Sequence, residues 1–189
     1  MAGVTKEDIR EWAKFYIWSG MYDHQEVRLL IEEQLGNDDE VSEDWLQQLI
    51  LDEVEAKQQA ELSWPEVTDC DRLELAFISL EQVGIIALQM AGFTLSDGLE
   101  EVSDVYREAG GKKSDYTGFC FFTEQDVEHA LDGHGLCIAF GHFSDDQAKG
   151  VAIGQQLCLA FKAAGLQVDW DENINARIFI KNFRWQRRS

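Results

Sequence analysis

At 189 residues, 45% of them hydrophobic, the chain is long enough to bury a proper core without disulfide or metal staples, as one domain or one domain with a smaller subdomain. Thirty-six acidic residues against sixteen basic ones give a formal charge of −20, which argues against a phosphate-backbone binder, because such binding needs a basic footprint. The longest apolar run falls far short of the roughly 18 residues a membrane helix needs, and the first twenty residues mix charges through their apolar positions, so neither a membrane span nor a secretory leader is expected.

The first third reads as three helices. Thr5 and Asp8 have capping-box spacing, and Ile9, Trp12, Ala13 and Tyr16 recur at helical period until Gly20. Asp23 with Glu26 opens a second helix through Val27, Leu30, Ile31 and Leu35, closed by Gly36 and followed by the acidic loop "NDDEV". Ser42 caps a third, with Leu46, Leu49, Ile50 and Val54 on one face, which is expected to fray in "AKQQAELS". Pro65 has no N–H and pushes Trp64 to an extended conformation, so the helical preface, residues 1–63, ends there and an α/β domain, 64–189, begins.

Thr68 and Asp71 repeat the cap spacing ahead of a helix carrying Leu73, Ala76, Phe77, Leu80 and Val83. From Gly84 the period changes. "GIIALQM" is apolar on both faces, as a central strand would be, and "GFTLSDG" is a turn leading to a short helix through Val102, Val105 and Tyr106. "GFCFFTE" and "LCIAFGHF" are further strands, separated by a short helix at 124–131. Ser144 with Gln147 opens a long helix ended by Gly165, "LQVDWD" alternates as a strand with one wet face, and "RIFIKNFRW" closes the domain. The fold class is therefore mixed α/β: a sheet of about five strands packed with helices, preceded by a three-helix subdomain.

Candidate chemistry is sparse. His129, His134, Cys137 and His142 superficially suggest a metal cluster, but strand alternation sends Cys137 and His142 to opposite faces, and structural zinc sites usually show tightly paired ligands. Cys70 lies at a helix start, where a thiolate is favoured, yet Asp69 and Asp71 flank it and oppose that charge. Cys120, Cys137 and Cys158 sit in apolar stretches as packing, and four cysteines without a CxxC motif fit a reducing cytoplasm. The glycine turns match no phosphate-binding pattern. No catalytic set, cofactor or metal is expected. The last thirteen residues carry five basic side chains and no acidic one, a basic tail suited to docking back on the acidic helices.

The blocks "WPEVTDCDRLELAF", "GIIAL", "GFCFF", "QDVEHAL", "AGLQVDW" and "WQRR" together resemble a family of uncharacterised bacterial proteins, a domain of unknown function found especially in actinobacteria and proteobacteria. The likeness covers nearly the whole chain, is weakest across residues 1–60, and implies no activity. Some relatives carry a Cys-Cys-x-x-Cys-Gly cluster after the first strand; residues 90–98 here read "MAGFTLSDG", so no thiol role carries over.

Two functional expectations follow. One is a non-catalytic, acidic binding or regulatory protein for a basic protein partner, without nucleic-acid or membrane partners and with its oligomeric state open. The other is a small-ligand sensor or enzyme using a cleft lined by Asp69, Asp71, Asp97 and His142, where strand ends and helix starts collect ligands.

Overall fold

The computed structural model describes residues 4–36, 41–144 and 146–188, so most of the expected acidic loop, 37–40, lies outside the described residues. The chain forms two compact units, Met1–Glu66 with Gln186–Ser189, and Val67–Trp185.

In the first unit, α1 (Lys6–Ser19), α2 (His24–Leu35) and α3 (Glu43–Glu61) form where the cap signals place them. Thr5 Oγ1 accepts the Asp8 N–H at 3.2 Å while the Asp8 carboxylate accepts the Thr5 N–H at 2.7 Å, which satisfies two orphan donors reciprocally. Asp23 and Glu26 do the same for α2. The apolar stripes meet in one core of Ile9, Ala13, Tyr16, Ile17, Val27, Ile31, Leu46 and Ile50.

Gly20 ends α1 in the left-handed region at φ 65°, and a Cβ there would lie 2.9 Å from the Arg187 carbonyl, so conformation and space both require glycine. The expected fraying of α3 does not occur: the helix continues to Glu61, because Lys57 is buried at 1% exposure with its Nζ 3.8 Å from Glu61 one turn on. Arg188 returns to this unit. It donates to the Pro65 carbonyl at 2.6 Å and lies 6.0 Å over the Trp64 ring, so the segment at Trp64 and Pro65 offers it both an acceptor and a π face.

The second unit runs α4 (Asp69–Glu81), β1 (Ile85–Leu88), α5 (Leu95–Glu108), a short 3₁₀ turn (Gly111–Lys113), β2 (Gly118–Phe121), α6 (Glu124–Leu131), β3 (Leu136–His142), α7 (Gln147–Ala163), β4 (Gln167–Asp169) and β5 (Ile178–Lys181). The five strands form one mixed sheet in the order β1-β2-β3-β5-β4, with β1 and β2 parallel and every other pair antiparallel. The fold is thus mixed α/β, with seven α-helices and five strands among the described residues.

Alternation along the strands separates two faces. On one, Gly118 lies against Ile153 of α7, and Phe122, just beyond β2, packs its ring 5.8 Å from Phe77 of α4, which in turn meets Phe161 of α7. On the other, Phe121 and Ala139 join Ala91 and Val102 in a much smaller cluster under α5.

Several local expectations change. β1 is an edge strand, not a central one; its Ile85, Ile86 and Ala87 are buried because helices cover both its faces, which reproduces the apolar signature of a central strand. The expected turn "GFTLSDG" is shorter than its sequence suggests: from Leu95 on it is already the first turn of α5, capped by Thr94 and Asp97. α7 is capped by Asp146, whose carboxylate accepts the Ala148 and Lys149 N–H groups, while Ser144 turns back to His142. The closing strand stops at Lys181, where Asn182 adopts φ 54°.

Candidate functional site

All four residues expected to line a cleft belong to the second unit, and three of them are helix caps or cap neighbours. Asp71 accepts the Thr68 N–H at 2.7 Å and the Thr68 hydroxyl at 3.0 Å. Asp97 does the same for Thr94 at 2.8 Å in both bonds, and those bonds hold its carboxyl below the ordinary value of 3.8. Asp69 pairs with Arg72 at 2.7 Å and accepts the Arg184 N–H at 3.1 Å. His142 Nδ1 accepts the Ser144 N–H at 2.9 Å, so a neutral His142 carries its proton on Nε2.

These residues do not converge. Asp69 is tied to the end of the sheet where β5 runs out beside Leu136, whereas His142 is at the other end of β3, a seven-residue strand about 20 Å long at ~3.3 Å per residue. Asp97 lies on α5, whose Gly98 packs on Phe121, while Asp69 and Asp71 lie on α4, whose Phe77 packs on Phe122; these helices cover opposite faces.

The concavity with a built interior lies elsewhere. Between α5 and the segment leading into β5, a cleft of about 250 Å³ has Phe119, Phe121 and Ala139 as its floor. Leu95 and Leu99 of α5, 43% and 47% exposed, form one wall, and Asn175, Ala176 and Arg177 form the other. Phe140, Ile174 and Asn175 also line a second hollow, at His142, Ser144 and Gly150.

Arg177 is the one cationic side chain of the first hollow. Its Nη1 donates to Asp126 Oδ1 at 2.7 Å, and Asp126, only 3% exposed, uses Oδ2 to accept the Thr123 N–H and hydroxyl at 3.0 and 2.9 Å. A carboxylate buried this deeply requires such partners. The second unit therefore places a fixed guanidinium beside an apolar floor.

The thiols behave as packing groups. Burial pushes Cys120 far above the usual range of a cysteine, helped by the charge of Glu81. Burial also raises Cys137, although Arg177 draws it partly back, and raises Cys158. Among the described residues no group of three His, Cys, Asp or Glu side chains is placed to hold a metal ion, and no described helix is long and apolar enough to cross a membrane.

Sequence reading missed Arg177, Asp126 and the α5 leucines. The signal that points to this face is the alternation of Phe119 and Phe121 in "GFCFF". No curated protein and no solved structure matches the chain. A family model described as "Domain of unknown function (DUF6891)" matches residues 4–189, nearly the whole length, and the chain belongs to that family.

Proposed function

We propose that this chain is a non-catalytic binding or regulatory protein of the bacterial cytoplasm whose acidic surface engages a basic protein partner. The observation that supports the reading is the charge and where it lies. Even if every Lys and Arg paired, twenty carboxylates would remain. On α5 alone Asp97, Glu100, Glu101, Asp104 and Glu108 are exposed, against a single Arg107 that Asp104 already engages. Such a field accelerates encounter with a basic partner and selects against acidic ones. The cytoplasmic assignment is supported by the four cysteines being free.

The test is capture of partners by the tagged chain from its native cytoplasm at low and high salt, with identification by mass spectrometry. A stoichiometric basic protein that is lost at high salt, and lost with a chain carrying Glu100→Gln, Glu101→Gln and Glu108→Gln, supports the reading. A bound protein indifferent to both perturbations overturns it.

A second reading, a small-ligand sensor, is favoured by the apolar cleft beside Arg177 rather than by the neighbourhood of Asp71 and His142, which the fold holds apart.

A further inference from the structure

We propose that the cleft between α5 and β5 binds a small monocarboxylate with an apolar tail, its carboxylate on Arg177 and Asn175 and its tail over Phe119 and Phe121 against Leu95 and Leu99. The inference is independent of the basic-partner reading.

The apolar half of the argument is the exposed surface inside the hollow. α4 and α7 cover one sheet face with a large core, whereas the opposite face has a buried cluster of only four residues, Ala91, Val102, Phe121 and Ala139. Leu95 and Leu99 sit one turn apart on the flank of α5 and stay more than 40% exposed beside that floor. A concave apolar surface with a few convergent polar groups is the usual form of a small-molecule site. The volume of about 250 Å³ falls below the roughly 300–1,000 Å³ of drug-sized pockets, which selects a compact ligand.

The polar half is Arg177. Asp126 anchors the guanidinium through Nη1 and is itself locked by Thr123, so one edge of the planar fork is tied down beside the apolar floor. Among the described residues Asp126 is the one group that Arg177 bonds, which leaves its remaining N–H donors for a ligand. A guanidinium carries five donors in a fork that matches a carboxylate, and it can serve two carboxylates at once. The Asn175 side-chain amide, exposed on the same wall, supplies a further donor.

The charge of −20 repels an anion at long range, but ions screen that field beyond about 8 Å at physiological ionic strength, inside which the Arg177 contact decides. Binding should therefore hold steady or tighten as salt rises from low values, opposite to the behaviour of a basic partner.

The probes are octanoate and 3-phenylpropanoate against octanol and 3-phenylpropanol, titrated into the full chain by calorimetry and followed by backbone amide NMR. The expected result is binding of the acids, with shifts at residues 95–99, 119–121 and 174–177, and at least tenfold weaker binding of the matched alcohols. Arg177→Gln should abolish the preference for acid over alcohol. Because that variant also removes the ion pair of buried Asp126 and so endangers the fold, Leu99→Asp and Asn175→Leu, both at exposed positions, carry the test as well: each should weaken the acids at least about tenfold. Equal affinity for acids and alcohols, shifts outside the cleft, binding unaffected by Leu99→Asp and Asn175→Leu, or no binding of either acid at millimolar concentration would each overturn the proposal, and none of these results bears on the salt-sensitive capture of a basic protein.

Discussion

Replacing Asp126 by alanine should be the costliest change at any helix start in this protein. Five helices begin with the same reciprocal box, Thr5 with Asp8, Asp23 with Glu26, Thr68 with Asp71, Thr94 with Asp97 and Thr123 with Asp126, but only the last is buried throughout. Alanine at 126 removes three hydrogen bonds, from the Thr123 N–H, the Thr123 hydroxyl and Arg177 Nη1. It leaves a guanidinium and a buried amide without partners. Breaking a buried ion pair from one side costs about 3–5 kcal/mol, and because the Arg177 side chain is 35% exposed and recovers some hydration, the lower end applies, about 3 kcal/mol. For a chain of this length, that corresponds to a fall in Tm of about 6–12 °C. Thermal and urea unfolding of the full chain would read it, with Asp97→Ala as the control that removes the same box in an exposed setting. Asp126→Ala within about 1 kcal/mol of the wild type, or an equal loss from Asp97→Ala, would refute the claim that burial sets the worth of this box.

Gly154→Ala should destabilise by about 1–3 kcal/mol and alter tryptophan emission, because the Trp170 ring occupies the space a Cβ would need and overpacking forces it off its rotamer; an unchanged Tm and spectrum would show that the ring moves freely. In the native chain Cys120 should resist a thiol reagent at pH 8 while all four cysteines label after denaturation, since burial opposes the thiolate; fast native labelling mapped to Cys120 would contradict its placement in β2. Two carboxyls should pull the acid limb of stability in opposite directions. Asp97 has its folded pKa below 3.8, so its contribution is present above that pH and is lost as pH falls through the folded value, a loss Asp97→Asn should remove. Glu124 has its folded pKa raised above 4.5 by burial and then by Glu128, so its ionisation costs stability at neutral pH, and the cost disappears as pH falls below the unfolded value. Glu124→Gln should therefore flatten stability between neutral pH and about 4.5, and an unaltered slope would count against the placement of that side chain.

Local chemistry was legible and distant juxtaposition was not. Thr5, Asp23, Ser42 and Thr68 announce their helices because a cap and its partner are two or three residues apart and the hydrogen bonds are made within one turn. The same signal at Thr94 was masked by Gly92 and Gly98, which suggested a turn; Gly98 is glycine because the Phe121 ring fills the place of its Cβ, a reason that lies in another element. β1 read as central because burial of both faces, not hydrogen bonding to two neighbours, sets its composition. The cleft was illegible for a deeper reason. Its walls come from residues 95–99 and 174–177 and its floor from β2 and β3, and none of these segments carries a local pattern that names the others. Asp126 and Arg177, 51 residues apart, each look like ordinary surface charge until the sheet closes.

The return of Arg188 to Trp64 and Pro65 has a consequence for synthesis. The helices of the first unit leave the ribosome early, yet the contact that completes the unit must wait for a residue 123 positions after Pro65. Units otherwise tend to fold as they emerge, N-terminal first. Here the whole sheet is made before the contact between Arg188 and Pro65 can form. A stop codon before residue 186 would spare every residue of the sheet unit and still leave its damage in the helices made before that sheet.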